Sequence, residues 1–582
     1  MTPFLDDFFI CFKLKFFKRL LLEVYNTMEV YEKYFKEQFD ENGNLKNILI
    51  NLPENFNFSY DILDEMAKQK PDSLALVWCD DFDNEKKITF KEMSEMVNRY
   101  ANFFISKGVR YGDFVLIILK RNFEYWYVLN ALCKIGAIAI PATHMLSVLD
   151  LKYRIDFVNL RHIVFTNHSD VKKNILLAVN KTKNKINLFS VRGSFENSIN
   201  IDDEIYNFSK DFERIETKVK DPMICYFTSG TAGKPKLVQH DFSYPIAHIV
   251  TAKHWQKAIS NGLHLTVSDT GWAKAAWGKI YGQWAVCCAV MVYDYDKFIP
   301  HNMLKIIEKY KVSTFCAPPT IYRFFMKEGI LNYNISCLKY VTTAGEALNP
   351  EIIKQFKQKT GLEIMVGFGQ SETAAVVFNF GGVNNKIGSI GKPSVLYDVL
   401  LLDENDNVVK ENEKGEICIR LRENQIGLFI GYYNDDLANK LSIRNGIYHT
   451  GDVAFCDEDG YFWYVGRKDD IIKSSGYRIG PFEVESVLIE HPAVLECGVV
   501  GVYDEIRGQL VKANVVLTSG YKPSDALLKE LQDFVKKRTA PYKYPRIIEF
   551  MDELPKTISG KIKRKILRKS DLVIGKKSRA TE

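Results

Sequence analysis

The chain has 582 residues, of which 46% are hydrophobic and 26% charged, and its formal net charge is only +6. A chain of this length exceeds what one hydrophobic core normally supports, so we expect at least two domains. The small net charge argues against a general nucleic-acid-binding surface, because only the tail from Lys561 onward concentrates basic residues.

The first 27 residues contain an apolar and basic stretch, residues 8–22, with the sequence FFICFKLKFFKRLLL. Its cations lie inside the apolar run, which argues against both a secretory signal and a membrane-spanning helix. Two interpretations stay open: an amphipathic helix lying on a membrane surface, or a misassigned start with the true start at Met28. No other segment is apolar enough to cross a bilayer, so we expect a soluble cytoplasmic enzyme.

Residues 1–54 are predicted to be an extension, polar and partly helical from residue 28. The pattern then becomes α/β, with helices predicted at 61–68, 89–107, 124–135 and 148–157, and strands at 73–78, 114–119, 137–141 and 162–166. The nearly continuous apolar run at 114–119 is typical of a parallel strand covered on both faces. The alternation predicts doubly wound α/β subdomains within a large domain, residues 55–468.

Two smaller units follow in the predicted organisation. Between 386 and 466, short strands at 399–402 and 415–420 are separated by turn residues, which predicts a small β-barrel-like subdomain. Residues 469–582 are predicted to form a small α+β domain, with helices at 480–490 and 525–538 and strands at 494–502 and 511–517. The eleven cysteines show no CxxC pair and no Cys/His spacing typical of zinc, which favours free thiols in a reducing cytosol.

A loop rich in glycine and hydroxyl residues follows the apolar strand predicted at 223–227. Its residues are Thr228, Ser229, Gly230, Thr231, Ala232, Gly233, Lys234, Pro235 and Lys236. Backbone N–H groups, hydroxyls and lysine charge together can hold a phosphate. The spacing is not the Walker pattern, which needs Ser or Thr after its lysine. A flexible surface loop is the alternative, but the position directly after a buried strand favours a phosphate site.

This loop resembles the signature loop of adenylate-forming enzymes, the superfamily of acyl-CoA synthetases, peptide-synthetase adenylation domains and luciferases. Further motifs follow in the superfamily's order: TAGEAL at 343–348, FGQSET at 368–373, YHTGD at 448–452, GRKDD at 466–470 with SGYR at 475–478, and PKTISGKIKR at 555–564. The resemblance covers about residues 60–570. It implies an ATP-dependent acid:CoA ligase that forms an acyl-adenylate and pyrophosphate and then passes the acyl group to coenzyme A.

The resemblance also implies roles for individual residues. The loop at 228–236 would hold ATP phosphates, Asp452 the ribose hydroxyls with help from Arg467, and Glu372 a Mg²⁺ ion. Further nucleotide contacts are implied at Gly345, Glu346, Ala347, Val366, Gly367, Phe368, Gly369, Gln370 and Ser371, the last by donating to the α-phosphate. Lys561 would bridge the substrate carboxylate and the α-phosphate, since a cation lowers the repulsion between two anions. Without the resemblance, these residues have simpler interpretations. Asp452 could cap a turn, Glu372 could be a solvated surface acid, and Lys561 could be one lysine of a basic tail.

Asp469 matches the hinge position of these enzymes. The resemblance implies that the small C-terminal domain rotates after adenylation, so that Lys561 leaves the site and another face closes a tunnel for coenzyme A. Residues matching that face or the positions that contact coenzyme A in medium-chain relatives are Ser475, Gly476, Tyr477, Arg478, Arg507, Lys536, Tyr544 and Arg546. Cationic groups suit a cofactor with several phosphates, although basic residues on a small domain are also commonly just solvated.

Two motifs bear on the acid. Acetate-specific relatives have two tryptophans before the glutamine of QSET, whereas this chain has Phe368 and Gly369, so we expect room for an acyl chain longer than acetate. The segment 268–284, SDTGWAKAAWGKIYGQW, resembles an archaeal and bacterial subgroup of medium-chain acyl-CoA synthetases. Trp272, Lys274, Trp277 and Gly369 would line the pocket, with Trp277 limiting or bending it. For Lys274, pairing with a carboxylate and pointing to solvent are equally open.

The expected substrates are acids from propionate to about octanoate, including branched or aromatic ones, because one methylene contributes only about 1–3 kcal/mol to discrimination. The alternatives are an acetyl-CoA synthetase, transfer to a carrier-protein thiol, an inactive acyl-binding protein, and a membrane-bound fatty-acid activator. No carrier domain follows, and Lys561, Glu372 and Asp452 are all retained. We expect no nucleic-acid partner and a monomer or homodimer.

Overall fold

The computed structural model describes residues 29–228, 235–346, 348–380, 385–475, 477–557 and 561–568. Both interpretations of the first 27 residues, the surface helix and the start at Met28, therefore lie outside the described residues. Within the described part of the chain, no helix has the length and apolarity needed to cross a bilayer.

Two large, mainly parallel sheets form the first part of the molecule. The eight-stranded sheet has the spatial order Gly431–Tyr432, Lys236–Asp241, Pro222–Thr228, Ile138–Pro141, Phe114–Ile118, His162–Thr166, Asn187–Val191 and Ile199–Asn200. The nine-stranded sheet has the order Lys392–Pro393, Val377–Phe378, Ile364–Phe368, Tyr340–Ala344, Thr314–Cys316, Leu263–Thr266, Ala289–Asp294, Leu74–Asp80 and Glu85–Thr89. In both sheets the central neighbours are parallel and antiparallel strands lie at the edges, which confirms the predicted doubly wound α/β class.

Helices cover both sheets and begin or end where the sequence supplies caps. Thr89 and Ser147 form capping boxes, and Gly136 and Gly361 end helices in the left-handed region with φ of +77° and +75°. The helices of this part are Ser59–Asp64, Glu65–Gln69, Phe90–Ser106, Glu124–Ile135, Val148–Phe157, Ser169–Val179, Ile201–Glu204, Tyr244–Val250, Thr251–Trp255, Lys274–Gly278, Tyr281–Ala285, Pro300–Tyr310, Pro319–Glu328 and Pro350–Thr360, with short 3₁₀ turns at Val30–Lys33, Ile205–Asn207 and Ile330–Asn332.

A five-stranded antiparallel sheet follows, formed by Asp398–Leu402, Gly415–Arg420, Ile447–Cys456, Ile443–Arg444 and Phe462–Arg467, with the helix Asp436–Ser442 beside it. Turn residues separate these strands: Asp406, Asn445 and Gly460 have φ of +62°, +52° and +79°. This sheet carries the motif at 448–452 on one strand and that at 466–470 on its neighbour.

The C-terminal unit has its own buried core, which extends from Ile472 to Ile548. Its elements are the strands Ile472–Ser474, Tyr477–Ile479, Val494–Asp504, Gly508–Leu517 and Ile547–Met551, the helices Pro481–Ile489 and Asp525–Arg538, and the 3₁₀ turn Pro541–Lys543. The separate core is what a domain able to move as a unit needs.

The expectation of a partly helical segment after residue 28 is wrong beyond the first turn. Phe35–Phe39 and Leu45–Ile50 pair as an antiparallel hairpin. Asp40 directs the turn, because its Oδ1 accepts hydrogen bonds from the backbone N–H groups of Asn42 and Asn44. Glu37 then fixes the hairpin to the large domain through Lys253 and His254.

Lys279 lies in the core with only 2% of its surface exposed. Burial, with a smaller effect of Arg121, lowers the pKa of its ammonium to about 7. The unfolded chain therefore binds more protons between pH 7 and about 10.5, so this residue destabilises the fold most at or below neutrality.

We expect Lys279→Met to raise the free energy of unfolding by on the order of 1–4 kcal/mol at pH 7, and by much less near pH 10. Urea unfolding of both proteins across this range measures the difference. If the difference in unfolding free energy between the two proteins were the same at every pH, the lowered pKa of Lys279 would not be its cause.

Candidate active site

Two neighbouring parallel strands bring two of the predicted motifs to one sheet edge. Ala344 is the register partner of Gly367, so the residues that follow Tyr340–Ala344 and Ile364–Phe368 leave the sheet side by side. Gly345 has a φ of +101°, a conformation that favours glycine. Burial raises the pKa of the Glu346 carboxyl, while Arg323, Lys274 and Lys561 oppose that shift. Ala347 lies outside the described residues.

Asp452 is the centre of a hydrogen-bond network that joins three motifs. Its Oδ2 accepts from Arg467 Nη1 at 3.1 Å and from Gln370 Nε2 at 2.5 Å, and its Oδ1 accepts from the Tyr464 hydroxyl at 2.9 Å. Asp452 and Arg467 are register partners on adjacent strands. Tyr448 donates to Gln370 Oε1 at 2.6 Å, which fixes the orientation of the amide. A buried carboxylate held by this many donors is rigidly oriented.

Glu372 is tied to the other large sheet. The Tyr432 hydroxyl donates to its Oε1 at 2.9 Å, and Lys236 Nζ lies 4.6 Å from the centre of the Tyr432 ring. Burial raises the pKa of Glu372, while Tyr432, Arg467 and Lys561 oppose the shift. The neighbouring Ser371 accepts a hydrogen bond from His240 through its carbonyl oxygen at 2.7 Å.

The phosphate loop connects two antiparallel strands. Thr228 and Lys236 are register partners at the ends of Pro222–Thr228 and Lys236–Asp241, so the two ends of the segment 228–236 lie side by side. Ser229, Gly230, Thr231, Ala232, Gly233 and Lys234 lie outside the described residues. Lys236 nevertheless places the end of the loop beside Tyr432, and therefore beside Glu372.

Lys561 faces this site from the C-terminal unit. Its positive charge acts on the two carboxylates Glu346 and Glu372 and on the ammonium of Lys274. The backbone around Lys561 is closed by two hydrogen bonds with Thr557. The arrangement is therefore the one in which Lys561 approaches the nucleotide motifs.

Several polar contacts hold the C-terminal unit in this arrangement. Lys414 pairs with Glu483 at 2.6 Å, Arg478 pairs with Glu404 at 2.8 Å, and Asn349 donates to the Ser486 carbonyl at 2.7 Å. Asp469, the predicted hinge, is half exposed, and its carboxylate lies 3.6 Å from Arg467 Nε.

The predicted coenzyme A residues form two groups on the surface of the C-terminal unit. In the first, Arg507 donates to Ser475 Oγ at 3.2 Å, and Tyr477 stacks on Tyr542 with ring centroids 3.9 Å apart. In the second, Lys536 and Arg546 lie over the Tyr544 ring at 4.1 and 4.9 Å. Arg478 is engaged by Glu404, and Gly476 lies outside the described residues.

The acyl-pocket prediction needs a correction at Gly369. A side chain there would meet the Trp277 ring, since a Cβ atom would lie 2.3 Å from Trp277 Cη2. The space that glycine leaves is therefore filled by this indole. Trp255 does the same beside Gly367, where a Cβ would lie 2.5 Å from Trp255 Cε2. Gly369 allows a close packing of indole against backbone rather than an open channel.

Lys274 follows neither of the two alternatives left open for it, which were pairing with a carboxylate and pointing to solvent. Its Nζ donates to the Ala344 carbonyl at 2.9 Å, so it pairs with backbone instead of a carboxylate or water. Burial lowers the pKa of this ammonium. Trp272, the fourth predicted pocket residue, is partly buried two residues before it.

Sequence reasoning missed three tyrosines and one tryptophan. Tyr432, Tyr448 and Tyr464 each donate to a predicted functional side chain, and Trp255 packs on Gly367. Tyr448 stands at the start of a motif already singled out, which was the one available signal. Tyr432 lies 60 positions from Glu372, and Tyr464 lies 12 positions from Asp452. Trp255 carries an aromatic ring that composition alone assigns to the core.

Comparison with known proteins gives consistent matches. The profile of the AMP-binding enzyme family matches residues 63–433, and that of the AMP-binding enzyme C-terminal domain matches residues 483–561. Acyl-coenzyme A synthetase ACSM3, mitochondrial, of Mus musculus is 39% identical over 90% of this chain and 92% of its own length. The 4-hydroxybutyrate–CoA ligase 1 of Metallosphaera sedula is 42% identical over 89% of this chain and 91% of its own length. The solved structure of the anthranilate CoA ligase AuaEII in complex with anthranoyl-AMP matches with a TM-score of 0.82 and 27% identity, covering 89% of this chain and 98% of that one.

Proposed function

The chain belongs to the AMP-binding enzyme family and is an ATP-dependent acid:CoA ligase within it, and we propose that its substrates are short- to medium-chain carboxylic acids. The enzyme converts the acid, ATP and coenzyme A to acyl-CoA, AMP and pyrophosphate. The observation that carries the proposal is the convergence of Lys561, Glu372 and the Asp452 network on one site.

In the proposed first step, the acid's carboxylate oxygen attacks the α-phosphorus of ATP and pyrophosphate leaves. Asp452, oriented by Arg467 and Tyr464, accepts hydrogen bonds from the ribose hydroxyls. Lys561 lies between the reacting anions and stabilises the charge that builds up on the α-phosphate. The Ser371 hydroxyl and the loop at 228–236 donate to the phosphates.

Glu372 suits a Mg²⁺ ion, which prefers one or two carboxylates together with substrate phosphates. Its carboxyl is partly buried and is held by Tyr432, and burial raises its pKa, so a cation there would compensate a charge that burial penalises. When bound, Mg²⁺ would neutralise phosphate charge.

In the proposed second step, the coenzyme A thiol attacks the acyl carbonyl of the adenylate and AMP leaves. Arg478 is paired with Glu404 in the present arrangement, so rotation about Asp469 would have to break this pair before Arg478 could reach a phosphate. The exposed stack of Tyr477 on Tyr542, with Arg507 nearby, offers the surface that would then face the nucleotide site.

The substrate proposal rests on the two indoles. Trp277 packs on Gly369 and Trp255 packs on Gly367, and the two rings are edge-to-face with centroids 6.0 Å apart. The two rings fill the space beside these glycines, next to the nucleotide motifs, and we propose that they form the closed end of the acyl site, which favours acids from propionate to about octanoate, branched or aromatic ones included. The name of one relative specifies 4-hydroxybutyrate, and this acid falls within the size range.

We expect Trp277→Ala to lengthen the preferred acyl chain by removing the ring that fills the pocket. The kcat/KM for decanoate should rise at least about tenfold relative to that for butyrate, since each added methylene contributes on the order of 1 kcal/mol. Initial rates across a straight-chain series measure this. Trp284→Ala, which truncates a buried tryptophan hydrogen-bonded to Ala75, is the control for a general loss of packing. An unchanged preference in Trp277→Ala would contradict the pocket assignment.

Pyrophosphate release with ATP and Mg²⁺ tests the proposal, with and without coenzyme A, for acids from acetate to decanoate with 2-methylbutyrate and benzoate included. We expect turnover that depends on coenzyme A and peaks between four and eight carbons. A peak at acetate would overturn the substrate proposal but keep the ligase. Pyrophosphate exchange that depends on the acid and ignores coenzyme A would favour a carrier-protein thiol as acceptor.

We also propose a reducing compartment, the cytoplasm, as its location. All ten cysteines among the described residues are free thiols, and most are buried. The Mus musculus relative, by contrast, is named as mitochondrial. Monomer or homodimer is proposed for the assembly.

A further inference from the structure

A buried group of three metal-binding side chains lies outside the nucleotide site. Glu416, Cys418 and His449 are 6%, 0% and 8% exposed, and one potential ligand atom from each lies within 4.8 Å of the other two. Spacing along the chain does not reveal this group, because His449 lies 31 positions from Cys418 and the residues have no zinc-finger spacing.

Strand pairing brings them together. Cys418 on Gly415–Arg420 is the register partner of His449 on Ile447–Cys456. An irregularity in the pairing between Glu416 and Cys418 brings the Glu416 carboxylate to the same place. All three groups are thus held by the backbone of one antiparallel sheet, which is a rigid support for ligands.

Two of the distances between potential ligand atoms come close to those of tetrahedral coordination. Cys418 Sγ lies 3.3 Å from His449 Nδ1, and Nδ1 lies 3.5 Å from Glu416 Oε2. With Zn–S of about 2.3 Å and Zn–N and Zn–O of about 2.0–2.2 Å, ligand atoms in a tetrahedral site are separated by about 3.4–3.6 Å.

The surroundings provide a second observation. His449 Nε2 is buried and has no hydrogen-bond partner, yet it lies 3.9 Å from Asp406 Oδ1, which Arg444 holds at 2.8 Å. A histidine that binds a metal usually donates its other ring N–H to a carboxylate, so a small shift would complete this pattern.

We propose that Glu416, Cys418 and His449 form a Zn²⁺-binding site, with a water molecule as the fourth ligand. The Cys418 thiol gives up its proton to solvent when the S–Zn bond forms, so that thiolate, carboxylate, neutral imidazole and Zn²⁺ make a site of zero net charge. Such a site is compatible with burial. Lys468, which pairs with Glu416 Oε2 at 2.9 Å and is half exposed, moves to solvent with its charge unchanged.

Zinc would act on the ligase through two neighbours of the site. Glu416 Oε1 accepts from the Gly451 N–H at 2.9 Å, next to Asp452, and Lys468 precedes the hinge residue Asp469. When Glu416 Oε2 binds the metal ion it no longer pairs with Lys468, so the chain next to the hinge residue Asp469 loses this contact. We therefore expect Zn²⁺ to slow adenylation, a consequence that rests on the proposed function, whereas binding itself does not.

Metal binding is measured on the full chain after removal of metals with a chelator. We expect about one equivalent of Zn²⁺ per chain to remain after gel filtration, and Co²⁺ in its place to give the near-ultraviolet charge-transfer band of a thiolate ligand. Cys418→Ser and His449→Gln should each lower Zn²⁺ affinity at least about tenfold in competition with a chromophoric chelator. Cys456→Ser, which removes a thiol from the same strand as His449, is the matched control and should bind as the wild type does.

Two results would overturn the proposal: no thiolate band with Co²⁺ in the wild-type protein, or equal Zn²⁺ affinity in wild type and Cys418→Ser. The cobalt spectrum needs no variant, so it decides the matter even if a substitution impairs folding. Pyrophosphate exchange with excess Mg²⁺ and no coenzyme A measures the effect on adenylation separately. A bound zinc with unchanged exchange would remove the effect at the hinge but keep the site.

Discussion

Lys561→Ala should abolish most adenylation while leaving thioester formation from a preformed acyl-adenylate. The charge of this lysine acts on Glu346 and Glu372 in the present arrangement, and in the proposed mechanism it stabilises the reacting anions. Removing one preorganised charge from a developing anion costs about 10²–10³-fold in rate. Acid-dependent pyrophosphate exchange into ATP should fall by at least that factor.

The second half-reaction provides the control. Acyl-CoA formation from synthetic acyl-AMP should change less than about threefold, because the proposed rotation removes Lys561 from the site. Lys565→Ala, four residues further along and also exposed, should leave both half-reactions unchanged. Equal loss of both half-reactions would mean that Lys561 supports the fold or the transfer step, and the assignment would fail.

Asp452→Asn should raise the KM for ATP and lower kcat/KM by about 10²-fold. The amide has nearly the same volume, but it loses the charge and one acceptor oxygen that Arg467, Gln370 and Tyr464 share. The remaining carboxamide cannot accept two ribose hydroxyls and satisfy these three donors. Steady-state kinetics with ATP varied at saturating acid and coenzyme A measure the change.

A comparison nucleotide separates binding from folding. 2′-Deoxy-ATP lacks one of the hydroxyls, so the wild-type enzyme should discriminate against it and Asp452→Asn should discriminate much less. Asp398→Asn, at an exposed pair with Arg420 in the same β subdomain, should behave as the wild type does. If Asp452→Asn kept full discrimination, the carboxylate would not contact the ribose.

Local sequence was sufficient for the fold class. Apolar runs such as 114–119 and 162–166 predicted parallel strands, and the boundaries of the helices Glu124–Ile135 and Asp525–Arg538 were predicted to the residue. The reason is that caps, turn residues and hydrophobic period act within a few residues. The hairpin at Phe35–Phe39 and Leu45–Ile50 was missed because its short polar strands carry little period-2 signal.

Site residues could be proposed from the sequence where a motif contains its own chemistry. Lys561, Glu372, Asp452 and Arg467 stand in motifs whose order along the chain identifies them. Tyr432 and Trp255 could not be found this way, since each acts on a residue more than 50 positions away. The interpretation of Gly369 failed for the same reason: the volume that a missing side chain leaves depends on which neighbour fills it, and here Trp277 does.

The sequence by itself determined the two-unit α/β architecture, the motifs and the class of reaction, because these depend on local patterns and on residue identity. Only the tertiary structure decided which indole rings pack against Gly367 and Gly369, which tyrosines orient the carboxylates, and that Glu416, Cys418 and His449 meet. Such contacts depend on strand register and on packing between distant segments, and neither is encoded in the spacing of residues along the chain.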